Sequence, residues 1–148
     1  MNIPPMFAME AIMRIVSILL AGGILASCAA VPPQPMRSAD RQQQYNRLLG
    51  DKVAGPPQSC LQSYNQNDLS IIDGRTLIYR ASPGRAYLVN LTPGCEQIST
   101  GGYALVTRSF GGLGMCQGDI AQVSDVLNRQ LAGSCTVASI IPYNRPGS

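Results

Sequence analysis

Short runs in which apolar and polar residues alternate dominate the second half of the 148-residue chain. Alternation with a period of two is typical of β-strands that bury one face. The six runs are residues 69–72, 76–80, 86–91, 103–107, 119–126 and 136–141. Asp73-Gly74 separates the first two runs and is typical of a tight hairpin turn. The pattern predicts a mostly β fold: a small sandwich or barrel-like domain of about six short antiparallel strands within residues 53–144.

The first predicted hairpin is apolar on both faces. With Asp73-Gly74 as the turn, three apolar side chains share one face and three share the other. The first set is Leu69, Ile71 and Ile78, and the second is Ile72, Leu77 and Tyr79. One face forms the core, and the helix, a later strand or a partner must cover the other. Because Tyr and Arg are enriched in interfaces, the candidate partner-binding residues are Ile72, Leu77 and Tyr79, edged by Arg75 and Arg108.

Residues 38–50 have the pattern of one short N-terminal helix. Ser38 can cap its first turn, Gly50 can end it, and Tyr45, Leu48 and Leu49 lie at i, i+3 and i+4. A helix of this length is marginal alone. We expect its apolar stripe either to dock on the β domain or to leave the helix frayed.

The N-terminal region has the features of an export signal. Residues 15–27 form an uncharged apolar run of 13 residues between Arg14 and Cys28, which is shorter than the about 20 residues of a spanning helix. Leu25-Ala26-Ser27-Cys28 resembles the bacterial lipobox, which implies removal of residues 1–27 and lipidation of Cys28. The alternative is an ordinary signal peptide that is cut nearby, with Cys28 incidental. Acyl chains on Cys28 would make the membrane a partner of the protein.

The residues on either side of this signal add three expectations. Residues 1–12 contain no Lys or Arg and include Glu10, so we hypothesise that translation starts at Met13. Residues 28–37 contain three Pro and are predicted to be a lipid-anchored linker. Ala29 stands where Asp, in sorted enterobacterial-type lipoproteins, implies inner-membrane retention. An outer-membrane lipoprotein facing the periplasm is therefore favoured.

Four cysteines remain after Cys28. Their even number suits an oxidising compartment, and with no Trp and two Phe in the chain a disulfide framework would supplement a modest core. Three pairings are possible. We favour Cys60 with Cys135, which joins the first and last segments, and Cys95 with Cys116, which closes the middle loop.

The chain contains no His, which excludes Ser-His-Asp and Cys-His catalytic units and His-ligated metals. Gly114-Met115-Cys116-Gln117-Gly118 fits the pattern G-x-C-x-G, yet no helix pattern follows it. A thiol-dependent enzyme or redox protein that uses Cys116, with Asp119, is the weaker alternative. No metal site, cofactor or nucleic-acid partner is predicted, since the net charge is only +3 and aromatic residues do not interleave with the Arg residues.

Four segments are similar to a family of small exported, Cys-bearing bacterial proteins that is described as a domain of unknown function. They are residues 47–61 (RLLGDKVAGPPQSCL), 101–108 (GGYALVTR), 116–120 (CQGDI) and 133–135 (GSC). The resemblance implies export, a four-Cys β domain and a Gram-negative setting, and it implies no activity. We expect a non-enzymatic, lipid-anchored envelope module that binds another envelope protein or a glycan. Small disulfide-bonded β-barrel lipoproteins that inhibit lysozyme share this general design, so an inhibitor of a hydrolase is an alternative.

Overall fold

The computed structural model describes residues 37–61, 68–109 and 114–147. These residues form one α-helix, nine β-strands and one 3-10 helix, Glu96–Thr100. The elements are α1 (Ala39–Leu49), β1 (Val53–Ala54), β2 (Cys60–Leu61), β3 (Leu69–Asp73), β4 (Thr76–Ser82), β5 (Arg85–Leu91), β6 (Tyr103–Arg108), β7 (Met115–Cys116), β8 (Ile120–Asp125) and β9 (Leu131–Asn144).

Six of the strands form one curled antiparallel sheet in the order β3-β4-β5-β9-β8-β6. β1 also pairs with β9, and β2 and β7 form a separate two-stranded ladder. The prediction of a mostly β domain with about six antiparallel strands and one helix is therefore confirmed. β9 is longer than predicted, at 14 residues, because its first half pairs with β8 and its second half pairs with β5.

The turn between β3 and β4 differs from the prediction by one residue. Asp73 pairs with Thr76, so the turn residues are Gly74 and Arg75, and neither has a positive φ. The Asp73 carboxylate closes the turn, since its Oδ1 accepts a hydrogen bond from the Arg75 backbone N–H at 2.8 Å. A bulge at Ile72 adds a further register shift. The predicted division of the apolar residues between the two faces is consequently wrong.

The inner face of the curled sheet holds the larger core. Leu77 and Tyr79 lie on this face, opposite Ile71 and Leu69 of β3. Buried side chains from most of the strands and from the 3-10 helix complete the cluster. They include Leu61, Val89, Ile98, Met115, Ala121, Val123, Val137 and Ile140.

The outer face of β3, β4 and β5 is covered by α1, and we call it the covered half. Leu49 of α1 is 3% exposed and packs with four buried sheet residues. These residues are Ile72, Ile78, Ala86 and Leu88. Tyr45 and Leu48 pack against the same cluster. Of the two outcomes expected for the helix, docking is the one observed.

Polar contacts also fix α1 on the covered half. The Ser38 side chain caps the helix by accepting a hydrogen bond from Arg41 N–H. Arg41 Nη1 donates to the carbonyl of Ile71 at 2.8 Å. Arg37 Nε donates to Asp73 Oδ2 at 2.7 Å, and the Arg37 guanidinium lies 4.4 Å from the centre of the Tyr45 ring. The residue that precedes the helix is thus tied to the β3–β4 turn.

The outer face of β6, β8 and the first part of β9 carries no helix in the described chain, and we call it the open half. Val106 of β6 is 45% exposed and Leu131 of β9 is 60% exposed. Ala104, next to them on this face, is also exposed. The same sheet therefore buries one half of its outer face and leaves apolar side chains in solvent on the other.

The four cysteines form two disulfides, Cys60–Cys116 and Cys95–Cys135. The predicted pairings, Cys60 with Cys135 and Cys95 with Cys116, are therefore wrong. The first segment does meet the last strand, but at Ile140, which bridges to Gln58 and lies five residues beyond Cys135. Cys60 instead lies opposite Cys116 in the β2–β7 ladder.

The second disulfide follows from the path of the chain after β5. The N–H of Thr92 donates to the carbonyl of Thr136 at 2.9 Å, which brings the next residues against Cys135. The two disulfides join residues 56 and 40 positions apart. In the loop-entropy model each stabilises the fold by about 4 kcal/mol.

Candidate functional site

A cleft of about 620 Å³ opens beside β2 and the β4–β5 hairpin. Four consecutive residues form one wall and three hairpin residues form the other. The lining residues are Gln58, Ser59, Cys60, Leu61, Tyr79, Ala81 and Tyr87. Clefts of roughly 300–1,000 Å³ are the size that accommodates small ligands and short chain segments.

The first wall is fixed to the rest of the domain at three points. Gln58 N–H donates to the carbonyl of Ile140 at 2.9 Å, and within the wall itself the Gln58 side-chain amide donates to the carbonyl of Cys60 at 2.8 Å. Gln117 N–H donates to the carbonyl of Ser59 at 2.7 Å. The Cys60–Cys116 disulfide adds a covalent link. This wall is therefore held in place before any ligand arrives.

The second wall contains a pair of tyrosines. Tyr79 of β4 lies directly opposite Tyr87 of β5, and their rings stack with centroids 6.1 Å apart. Tyr79 is 7% exposed, whereas Tyr87 is only partly buried. The pairing depends on a bulge at Ala81, which shifts the register between Arg80 and Ser82. Tyr87 is the ring that a ligand in the cleft can contact more fully.

The described lining residues are all uncharged at neutral pH. They present amide, hydroxyl, aromatic and small apolar groups. Such a surface binds a ligand by hydrogen bonds and by contact with aromatic rings rather than by charge. The cleft therefore suits a neutral, hydroxyl-rich or amide-rich ligand.

Sequence reasoning found only one residue of this cleft, Tyr79, as a partner-binding candidate. Ile72 and Leu77 are 0% exposed and belong to different clusters on opposite faces, so they form no shared surface. Arg108 is exposed at the end of β6, on the edge strand opposite to that of Arg75. The five candidate residues are consequently not brought together. The shifted turn separates Ile72 from Leu77 and Tyr79, and the strand order separates Arg108 from the β3–β4 turn.

Arg75 lies at the turn between β3 and β4. Its Nε is buried without a hydrogen-bond partner, and its positive charge acts on Glu96 of the 3-10 helix. The Glu96 carboxylate accepts hydrogen bonds from the Gly94 N–H at 3.1 Å. These bonds, helped by the nearby Arg75, hold the pKa of Glu96 below its ordinary value. Arg75 therefore contributes to the packing of the turn against the 3-10 helix.

Cys116, the thiol candidate, is bonded to Cys60. Its backbone N–H donates to Asp119 Oδ2 at 2.7 Å, and Asp119 is 5% exposed. Asp119 thus closes the turn after β7 in this state of the protein. The thiol-enzyme alternative requires reduction of the disulfide before Cys116 can react.

Metal sites and membrane-spanning helices are absent from residues 37–61, 68–109 and 114–147. Within these ranges, no group of three or more His, Cys, Asp or Glu side chains is placed to hold a metal ion. No helix within them is long and apolar enough to cross a membrane. Cys28, the predicted lipidation site, lies outside the described residues.

Comparison with known proteins gives a single finding. No curated protein and no solved structure gave a significant match. A family model matches residues 11–146, which span most of the chain. The extent of this match shows that the chain belongs to the family described as "Family of unknown function (DUF6491)".

Proposed function

We propose that the protein is a lipid-anchored module of the bacterial envelope that binds a neutral glycan strand in the cleft between the residue 58–61 wall and the Tyr79–Tyr87 pair. The cleft itself carries the proposal. It is rigidly walled, it is uncharged in its described lining, and it presents a partly exposed tyrosine beside amide and hydroxyl groups. Sugar rings offer apolar faces for aromatic stacking and many hydroxyls for hydrogen bonds.

The anchoring part of the proposal rests on the sequence before the described domain. The apolar run of residues 15–27 ends at Cys28, and the two disulfides are what an oxidising compartment permits. Lipid on Cys28 and a Pro-rich linker over residues 28–37 would hold the domain near a membrane surface. On this proposal the outer membrane, on its periplasmic side, is the site of attachment.

Binding is tested by titrating the purified protein with a soluble N-acetylglucosamine oligomer. Tyr87→Ala removes the accessible ring, and we expect it to weaken binding at least about tenfold. Tyr87→Phe retains the ring and should keep most of the affinity. Tyr103→Ala, which removes a tyrosine outside the cleft, is the matched control. Isothermal titration calorimetry gives the affinities, and thermal melts show that the variants fold.

Two outcomes would contradict the glycan proposal. Either the unaltered protein fails to bind the oligomer, or Tyr87→Ala and Tyr103→Ala weaken binding equally. If the first outcome is accompanied by binding of an uncharged peptide in the cleft, the ligand belongs to another class.

Anchoring is tested separately by the intact mass of protein extracted from membranes. The expected species begins at Cys28, carries acyl chains, and has no alkylated thiol under non-reducing conditions. Cys28→Ser should abolish the acylated mass. An unacylated mass for the unaltered protein would refute the anchor, and an alkylated Cys116 would revive the thiol-enzyme alternative.

A further inference from the structure

The turn between β8 and β9 presents apolar side chains to solvent. Leu127 is 91% exposed and Val126 is 55% exposed, and Leu131 at the start of β9 is 60% exposed. Arg129 lies between them and is also exposed. We call residues 126–131 the tip. Exposed apolar groups that cluster on one projecting turn mark an interaction surface.

The tip is held in one conformation by a dense set of hydrogen bonds. Asp125 Oδ1 accepts from the N–H groups of Leu127 at 2.8 Å and Asn128 at 3.2 Å. The Asp125 carbonyl accepts from Arg129 N–H at 2.9 Å, and Asp125 N–H donates to the Gln130 carbonyl at 2.9 Å. Leu127 is therefore projected by an ordered turn.

Backbone strain at the tip points to the same conclusion. Arg129 has a φ of +60°, and it is the one non-glycine residue with positive φ in the described chain. An L-residue in this conformation costs about 1 kcal/mol, which the surrounding turn must offset. The chain thus maintains a strained turn in which Leu127 and Arg129 are both exposed.

The tip lies at the end of the sheet where the N-terminal chain joins the domain. Arg37, the first described residue, donates to Asp73 and Thr76 on either side of the β3–β4 turn. Gly74 of that turn lies so close to Glu96 that an added Cβ would be 2.6 Å from its Cα. The 3-10 helix leads from Glu96 towards Gly102, whose carbonyl accepts from Val126 N–H at 3.0 Å.

The opposite end of the sheet, at the β4–β5 turn, also exposes an aliphatic side chain. Val53 of β1 pairs with Asn144, and Asn144 pairs with Arg85 at the β4–β5 turn. Val53 is 62% exposed, so it is an apolar side chain in solvent at the end remote from Arg37. The two ends therefore each expose an aliphatic side chain, but only one of them receives the chain from Cys28.

We propose that the tip inserts into the lipid interface of the membrane to which Cys28 is anchored, with Val126 and Leu127 at the acyl boundary and Arg129 among the phosphates. This inference rests on the proposed lipid anchor. Arg37 comes nine positions after Cys28, so the anchor keeps this end of the domain within about 30 Å of the bilayer. A long Arg side chain reaches phosphate while its stem stays on apolar surface.

An inserted tip gives the domain a defined orientation relative to the membrane. The end that contains Arg37, the 3-10 helix and the tip faces the lipid. The opposite end, with the β4–β5 turn and Val53, faces away from it. Two membrane contacts, one through the acyl chains on Cys28 and one through the tip, would fix this orientation more firmly than a flexible linker alone.

The absence of Trp from the chain makes the test direct. Leu127→Trp and Val53→Trp each introduce a single Trp at an exposed aliphatic position, one at each end of the sheet. Each full-length protein is produced in a Gram-negative host, extracted from membranes and reconstituted in vesicles of phosphatidylethanolamine and phosphatidylglycerol that contain a brominated lipid. Circular dichroism and thermal melts establish that both variants are folded.

We expect the emission of Leu127→Trp to shift to the blue and to be quenched by the brominated lipid at least about twofold more than that of Val53→Trp. Since both variants carry the same indole ring, the intrinsic preference of Trp for interfaces cannot account for such a difference. Equal quenching of the two positions, or none at either, would overturn the inference.

Co-flotation with the vesicles separates the two proposals. If Leu127→Trp floats while its indole remains unquenched, the protein keeps its anchor but has no inserted tip, which overturns only the inference. A protein that does not float refutes the anchor and the inference together. Protection of the Leu127→Trp indole from an aqueous quencher in these vesicles, without lipid quenching, would identify a protein contact and would also overturn the inference.

Discussion

The covered and open halves of the outer face differ in how far their apolar side chains are shielded from solvent. Both belong to one sheet, in which β9 connects β5 to β8. On the covered half, Ile78 and Leu88 are buried under α1, with Leu49 at 3% exposure. On the open half, Val106 is 45% exposed and Leu131 is 60% exposed. An isolated peptide of the length of α1 would be only marginally helical. The apolar surface that α1 covers therefore stabilises it.

The two halves also differ in the burial of their polar contacts. On the covered half, Asp73 is 7% exposed and pairs with Arg37, and Tyr143 lies beside Tyr45. Burial, followed by the neighbouring Tyr45, raises the pKa of Tyr143 above its ordinary value. At the end of the open half, Asp125 makes its turn contacts in solvent. We therefore expect the buried Asp73 to contribute more to the free energy of unfolding than Asp125 does.

The largest difference is expected from leucine truncation. We expect Leu49→Ala to lower the free energy of unfolding by about 3 kcal/mol, because it leaves a cavity between α1 and the sheet. Leu131→Ala on the open half should change it by less than about 0.5 kcal/mol. Urea unfolding of both variants with the disulfides intact provides the measurement. Equal losses would show that α1 contributes no more to stability than the open half does.

A second pair compares the two turn-closing aspartates. Asp73→Ala should cost about 2 kcal/mol, because it leaves the part-buried Arg37 Nε–H and the Arg75 backbone N–H without their acceptor. Asp125→Ala removes the acceptor for Leu127 N–H and Asn128 N–H, which water can replace. Its expected cost is about 1 kcal/mol. Chemical denaturation of both variants under identical conditions gives the two losses of unfolding free energy. A larger loss for Asp125→Ala than for Asp73→Ala would refute this account of burial.

A gain in stability is expected at the tip. Arg129→Gly relieves the positive φ of +60° and should stabilise the protein by about 0.5 kcal/mol. Gln130→Gly, one residue further on and without positive φ, should instead destabilise it slightly. Thermal melts of the two variants are compared. A loss of stability in both would mean that the Arg129 side chain has a structural role that outweighs the strain.

The smallest effect is expected at an exposed ionic contact beyond α1. Asp51 bonds to Lys52 and Arg145, which lower its pKa from 3.8 to about 2. Because the folded-state pKa is depressed, the stabilisation is present above about pH 4 and is lost as the pH falls towards 2. Asp51→Asn should therefore flatten the acid limb of the stability profile between these values. Urea midpoints measured across this range test it, and an unchanged slope would contradict the assignment.

The strands and the helix were predictable because local patterns specify them. Alternation of apolar residues gave the six principal strands, and Ser38 and Gly50 gave the ends of α1. The division into faces was not predictable, because bulges at Ile72 and Ala81 each insert one residue. A shift of one residue moves every following side chain to the other face.

The cleft and the disulfide pairing depend on contacts between distant segments. Contacts with β9 and β7 place residues 58–61 beside the β4–β5 hairpin, and no local pattern encodes these contacts. Tyr79 and Tyr87 lie at similar distances in sequence on either side of the turn at Pro83-Gly84. That spacing was the one sequence feature that could have indicated the tyrosine pair. Without allowance for the bulge at Ala81, a simple hairpin register places Arg80 opposite Tyr87 and misses the pair.

The order of the disulfides along the chain bears on resistance to proteolysis. Cys60, Cys95, Cys116 and Cys135 pair first with third and second with fourth, so the two covalent loops overlap. Any one backbone cut between Cys60 and Cys135 leaves the fragments joined, and so do cuts in any two of the three intervals between these cysteines. Nested loops would release the middle fragment after cuts in the first and third intervals. Interleaving therefore lets a nicked domain remain a single covalent molecule.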